Sequence, residues 1–283
     1  MTHYRVITRI TPTILIPNLY NMVTPTMIKE LRERTWVGMS DCKNALVEAN
    51  GDMDAAIDLL RKKGLSKAAK RAGNETSEGK IKIVTEGGAT YVAVVSCETD
   101  FVARNEVFES MLGHFIDLRK AAPTDEAAIA QAEELKASEY TLKVGENMQI
   151  RTLTKITGEV IATYVHSNAK NAAVIVAKSG TDPEKLKQVA MHVVASAPQV
   201  TSPSDISDEV VAKEKEIQLA IMQQDPKNAS KSAEILEKII DGKMTKFREE
   251  NALLTQPFVV NPDMKVGDFI GKDAVVAFYR YSI

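Results

Sequence analysis

This 283-residue sequence predicts an α+β protein built on antiparallel sheets. Strand-like runs come in hairpin spacing: the alternating Lys80-Ile81-Lys82-Ile83-Val84 and the apolar residues 91–95 flank the turn Glu86-Gly87-Gly88. The order strand, hairpin, strand, helix returns over residues 158–197, as in an internal duplication. Around these units lie segments of helical period, short ones before residue 64 and a long polar pair after residue 207.

Residues 1–26 contain no acid, carry Arg5 and Arg9 and are interrupted by Pro12, Pro17 and Pro25, which suits an appendage rather than a packed element. Two readings stand for them: an organelle-targeting remnant, or an over-extended start before Met22 or Met27. Residues 27–64 predict a three-helix module. Ile28 and Leu31 mark a first helix that stops before Thr35-Trp36-Val37-Gly38. Ser40 or Asp41 opens a second with Cys42, Ala45, Leu46 and Ala49 inside, and Asn50-Gly51 closes it. Asp52 caps a third carrying Met53, Ala56, Ile57, Leu59 and Leu60 as far as Gly64. Residues 65–78 are expected to be a basic linker. The run 61–71 has six basic residues and no acid, so it could contact phosphates or solvate a helix between modules; with no interleaved aromatic to stack on bases, the second reading is preferred.

Residues 79–157 form the first expected core subdomain. After the hairpin, Val102, Val107, Phe108, Met111, Leu112, Phe115 and Leu118 recur near helical spacing, so a helix opens at Thr99 or Asp100. Phe101 falls in its first turn, where an aromatic is either a core anchor or an exposed wedge. Residues 121–137 are polar and alanine-rich, and residues 142–151 read as a turn and an alternating strand. The second subdomain, residues 158–206 and 251–283, repeats the pattern, ending on a closing strand over residues 273–281 that returns to its sheet. Residues 207–250 predict an antiparallel helical hairpin, with Val210, Ile217 and Ile221 as the seam of one helix, Asp225-Pro226-Lys227-Asn228 as the break, and Leu236, Ile240, Met244 and Phe247 as the stripe of the return helix.

Hydrophobic residues make up 44% of the chain, enough for a sizeable core and two or more compact parts. Lys and Arg number 36 against 38 acids, a formal charge of -2, which argues against bulk attraction to nucleic acid or membrane. Cys42 and Cys97 stand far apart, fitting reduced thiols, and His3, His114, His166 and His192 are scattered, so neither a zinc site nor another cofactor is expected. No apolar run approaches the roughly 20 residues that span a bilayer, nor is there a long secretory apolar stretch. A cytoplasmic protein is expected, or an organellar one if residues 1–26 are a targeting segment.

There is no GxxxxGK[ST], GxGxxG, GxSxG or HExxH pattern. Glu98 and Asp100, at i and i+2, could share acid/base work or a hard cation. Acids at a helix start are favoured by the dipole alone, however, so a binding protein rather than an enzyme is expected. His166 closes a strand, and His192, on a helix, reads as structural.

One combination of motifs is far more specific than any of these. Leu31-Arg32-Glu33-Arg34-Thr35, Gly38-Met39-Ser40-Asp41-Cys42-Lys43-Asn44-Ala45-Leu46, Ala49-Asn50-Gly51-Asp52, Glu98-Thr99-Asp100-Phe101-Val102-Ala103, Val144-Gly145-Glu146-Asn147, Met191-His192-Val193 and Gln256-Pro257-Phe258-Val259 follow one another in fixed order. From about Met27 onward the chain resembles the bacterial elongation factor Ts family, nucleotide-exchange factors of elongation factor Tu. The resemblance implies a ubiquitin-associated-like three-helix module, two related antiparallel-sheet subdomains and a helical hairpin inserted before the last strand. It implies that Thr99, Asp100, Phe101 and Val102 intrude on the partner's nucleotide site, disturbing its magnesium and phosphate. It further implies that Arg32, Met39 and Lys43 dock on the partner's GTP-binding domain, and that Val144, Gly145, Asn147, His166, Val259 and Val260 match other contact positions. For His166 the alternative is a strand-end histidine satisfied locally. No direct nucleotide binding follows. The competing class is a scaffold that uses the three-helix module and basic run for protein or RNA. Two departures from the family stand out: Trp36-Val37 replaces a small pair such as Gly-Ala, so that loop is expected to be repacked or more exposed, and residues 1–26 have no counterpart.

Overall fold

The computed structural model describes residues 23–224 and 231–283; the expected appendage up to residue 22 and the break at Asp225-Pro226-Lys227-Asn228 lie outside them. The chain divides into two compact units, one made of the described residues up to Gly73 with Glu134–Glu146, the other of Asn74–Glu133 with Asn147–Ile283.

In the first unit, α1 (Pro25–Thr35) starts two residues before Met27. Thr24 caps it by accepting from the Met27 amide at 3.2 Å, and Pro25 fits the first position because no amide is needed there. With α2 (Met39–Glu48) and α3 (Met53–Arg71) it encloses Leu31, Val37, Cys42, Leu46, Ala56 and Leu60. Cys42 is fully buried in this core, and burial pushes its thiol pKa up. The basic run is helical, as its preferred reading has it, but it continues α3 through Gly64 to Arg71. Gly64 marks a close approach instead of a stop, since a Cβ there would meet the Ala137 carbonyl oxygen at 3.0 Å. Lys63 and Lys67 of the run pair with Asp41 of α2 at 2.8 and 3.2 Å. Residues 142–144, where a turn is expected, are helical in α7 (Thr141–Val144), which follows a π-helical turn (Lys136–Tyr140); both pack on α3.

The second unit holds two three-stranded antiparallel sheets. One orders β1 (Glu78–Glu86), β2 (Ala89–Cys97) and β3 (Met148–Thr157); the other orders β4 (Val160–Val165), β5 (Asn171–Ala177) and β8 (Val275–Ser282). Each is a hairpin whose second strand takes a third partner after a helical excursion, so the repeated order in the sequence is a repeated topology. Gly87 and Gly88, with φ of 60° and 76°, make the two-residue loop whose twist suits a hairpin. The sheets share a core: Ile81, Val92, Val94 and Ile156 meet Ala172, Val174 and Val176. The intervening residues Ala173, Ile175 and Ala177 point the other way, onto Leu186, Val189, Ala190 and Val193 of α8 (Pro183–Ser196). The helix expected after the first hairpin is two, α4 (Asp100–Ala103) and α5 (Glu106–Ala121), the latter covering β2 and β3. Asn105 divides them by accepting from the Val107 amide at 2.8 Å and capping α5. A further helix, α6 (Asp125–Leu135), occupies the alanine-rich stretch.

After α8 come α9 (Asp208–Gln224) and α10 (Ala233–Asn251). Ile240 and Met244 of α10 are buried as their stripe predicts, but the α9 seam is corrected: Val210, Ile217 and Ile221 are exposed, and Met222 with Val211 faces α10. The inward face also carries Lys215, bonded to Asp241, and Gln218, accepting from Lys243 at 2.8 Å, so polar pairing sets the register where an apolar period was read. Short strands β6 (Pro257–Phe258) and β7 (Asn261–Lys265) and helix α11 (Val266–Ile270) precede β8.

Candidate functional site

At the end of β2 the chain leaves the sheet through Glu98 and turns into α4, and the side chains of Glu98, Thr99 and Asp100 each have a partner. Thr99, in extended conformation, caps the helix by accepting from the Val102 amide at 3.4 Å, while its carbonyl accepts from the Cys97 thiol at 3.2 Å. Glu98 Oε1 accepts from the Asn147 amide at 2.5 Å and the Asn74 side chain at 3.0 Å, and Asn147 returns a bond to the Asn74 carbonyl at 2.7 Å. This clasp joins segments 73 residues apart in the chain. Val102 and Ala103 are buried beneath α4. Phe101, between them and the capped end, is 83% exposed, the most exposed large apolar side chain described. Of the two placements open to this aromatic, core or surface, the surface is the one observed.

Asp100 pairs with Arg104 one turn on at 3.1 Å. Glu98 and Asp100 thus take different donors. Asp100 and Arg104 border a concavity of about 510 Å³ with Glu78, Gly79 and the loop 167–170 that follows His166. Its charges are compensated: Lys170 pairs with Glu78 and Arg104 with Asp100 inside it, and Lys80 pairs with Glu109 of α5 outside the lining. Among the described residues no group of three or more His, Cys, Asp or Glu gathers as a metal site.

His166 is exposed, with Nδ1 at 3.1 Å from the Tyr164 hydroxyl. The Asn147 side chain is buried and donates to the Asn74 carbonyl, bracing the corner. Val259 and Val260 stand exposed on the turn between β6 and β7. Beneath them Phe258 is buried and stacks on Phe269 of α11 with ring centroids 4.5 Å apart. His192, fully buried on α8, fixes this turn: its Nδ1 accepts from the Val259 amide at 3.2 Å, leaving Nε2 to donate to Gln256 Oε1 at 2.9 Å. Burial holds its pKa below the ordinary histidine value, against the opposing bond to Gln256.

In the first unit Arg32, Met39 and Lys43 are all exposed, the last two one turn apart on α2, and Gly145 closes α7 as its left-handed cap beside Val144. Trp36 is also exposed, at φ 57°, while its neighbour Val37 is buried. Reading the residues in order missed Asn74 and Arg104; nothing local marks Asn74, whose partners are 24 and 73 residues away.

Against known proteins, the family described as Elongation factor TS matches residues 98–283, a stretch that begins at Glu98. Elongation factor Ts of Haemophilus ducreyi is 45% identical over 265 residues, covering 92% of this chain and 91% of that protein. The chain belongs to the elongation factor Ts family. Two more members, from Serratia proteamaculans and Pasteurella multocida, are 42% and 43% identical, each over 92% of this chain. Elongation factor Ts proteins serve translation elongation, and membership gives this chain that role. No described helix is long and apolar enough to cross a membrane.

Proposed function

We propose that this chain is a guanine-nucleotide exchange factor that binds elongation factor Tu carrying GDP and promotes release of the nucleotide, itself neither making nor breaking a covalent bond. The observation that carries the reading is Phe101: an aromatic side chain 83% exposed on a helix start whose cap, salt bridge and clasp are all satisfied internally. Such a group costs apolar exposure in the free protein and recovers it when buried in a partner. With Thr99, Asp100 and Val102 it would enter the partner's nucleotide site and displace the ligands of magnesium and the phosphate, which hold much of the grip on a nucleoside diphosphate. The coupling is reciprocal, so nucleotide weakens the factor as the factor weakens nucleotide. A thousandfold faster release corresponds to about 4 kcal/mol, within reach of one buried aromatic and a lost ion contact.

In the same reading residues 27–64 are a ubiquitin-associated-like module that docks through Arg32, Met39 and Lys43, residues 207–250 are an inserted antiparallel hairpin, and Val144, Gly145, Asn147, His166, Val259 and Val260 add contacts. The working compartment is the cytoplasm. The test is release of fluorescent GDP from elongation factor Tu: added protein accelerates it, and Phe101→Ala removes most of the acceleration with an unchanged circular dichroism spectrum. No acceleration by the unaltered chain would sink the reading.

A further inference from the structure

A pocket in the first unit lies away from Arg32, Met39 and Lys43, none of which lines it. It opens between the end of α1, the middle of α3 and the π-helical turn with α7, and holds about 300 Å³, the lower end of the range for ligand sites. Its floor is apolar, with Val37 and Leu60 buried and Ile57 and Leu142 packed against the same core. Its rim carries Arg34, Arg61 and Lys143 against the single acid Glu139. Glu30 pairs with Arg34, and Glu139 with Lys143 at 3.7 Å; among the described residues no ion pair engages Arg61.

The π-helical turn is a second, independent feature. It widens the helix where Ser138 and Glu139 face the pocket, and is held open by the Thr141 hydroxyl donating to the Lys136 carbonyl at 3.0 Å and the Ser138 hydroxyl donating to the Glu134 carbonyl at 2.9 Å. Such turns are costly relative to α-helix and concentrate at functional sites.

We propose that this pocket binds an acidic peptide segment of a partner protein, seating one Leu- or Phe-sized side chain on the apolar floor while flanking carboxylates meet Arg61, Arg34 and Lys143. Charge selects this occupant: Arg34, Arg61 and Lys143 are opposed by Glu139 and, behind Arg34, by Glu30, which leaves the rim net positive at Arg61. The chain's own leading segment is the wrong sign, since residues 1–22 include Arg5 and Arg9 and no Asp or Glu. A nucleic acid would leave the apolar floor without a partner and meet a carboxylate at Glu139. The site does not depend on the exchange reading.

The test titrates the full-length, isotope-labelled chain with the acetylated, amidated peptide Asp-Glu-Leu-Asp-Glu, read by NMR shifts at Ile57, Leu60 and Leu142 and by fluorescence of Trp36, the chain's single tryptophan, next to Val37. Binding at these residues is expected, with Asp-Glu-Gly-Asp-Glu and Lys-Lys-Leu-Lys-Lys each at least about tenfold weaker. Arg61→Glu weakens binding about tenfold and Arg61→Ala acts in the same direction, while Lys62→Glu, the same charge change outside the pocket lining, leaves it unchanged. Shifts elsewhere, equal binding of either control peptide, indifference to Arg61→Glu in a protein with native spectral dispersion, or displacement by a tighter-binding RNA oligonucleotide would each overturn the proposal.

Discussion

At the scale of single residues, Phe101 and His192 are opposites, and each carries a prediction. Because Phe101 is 83% exposed, Phe101→Ala removes little packing, and its unfolding midpoint in urea should stay within about 0.5 kcal/mol of the unaltered chain while exchange falls. His192 is fully buried and supplies both a donor and an acceptor to the segment that carries Val259. His192→Gln should cost about 1–3 kcal/mol at neutral pH, since the Val259 amide is left without its acceptor. Burial holds the folded-state pKa of His192 below 6.5, so between that lower value and 6.5 the unfolded chain binds the extra proton. Its contribution to stability is therefore fully present above about pH 6.5 and is lost as pH falls toward the folded-state value, by at most about 1.4 kcal/mol per pH unit. Urea midpoints between about pH 7.5 and 5 should fall more steeply for the unaltered chain than for His192→Gln; parallel curves would show that the imidazole does not stay neutral in the fold.

At the scale of elements, the corner that presents Phe101 depends on how β1 seats against β2. Gly79 of β1 has φ 151°, and a Cβ there would lie 2.3 Å from the Val95 carbonyl oxygen and 2.7 Å from the Ser96 Cα. Both are backbone atoms of β2 and cannot swing aside. Gly79→Ala should cost about 2–4 kcal/mol and, because Gly79 also borders the concavity beside Asp100, should lower exchange activity along with stability. A Gly79→Ala protein with unchanged urea midpoint would mean that β1 has slack at this position. The short α4 was hidden from periodicity for a related reason. Val102, Val107, Phe108 and Met111 keep nearly helical spacing across the Asn105 cap, and the break shows only as Asn105 followed by Glu106. The α9 seam misled in the converse way. Val210, Ile217 and Ile221 have a fitting period, but a period does not say which stripe is inward, and here the salt-bridged Lys215 and hydrogen-bonded Gln218 lie toward α10.

At the scale of the molecule, the two related sheets behave as one folding body because they share a core. Val174 on β5 is fully buried against the other sheet, and Val174→Ala deletes two methyl groups and leaves a cavity there, for an expected cost of about 2–3 kcal/mol. That loss should lower hydrogen-exchange protection in β1, β2 and β3 as much as in β4, β5 and β8; protection lost from the second sheet alone would show the sheets to be independent. The sequence by itself determined what is local. Alternation over residues 80–84 and 142–151 and apolar runs such as 91–95 marked strands, the Asp52 cap and the paired glycines at 87 and 88 placed a helix start and a turn, and the ordered motifs identified the family. These survive because each depends on side chains within a few residues of one another. Only the tertiary structure decided what depends on distant pairing: that Gly64 is a contact instead of a stop, that the basic run belongs to α3, that Asn147 and Asn74 clasp Glu98, and that Phe101, equally suited by pattern to core or surface, stands outward while Val102 and Ala103 go in. Burial is settled by the partners a residue meets, and those partners come from parts of the chain that local spacing does not connect.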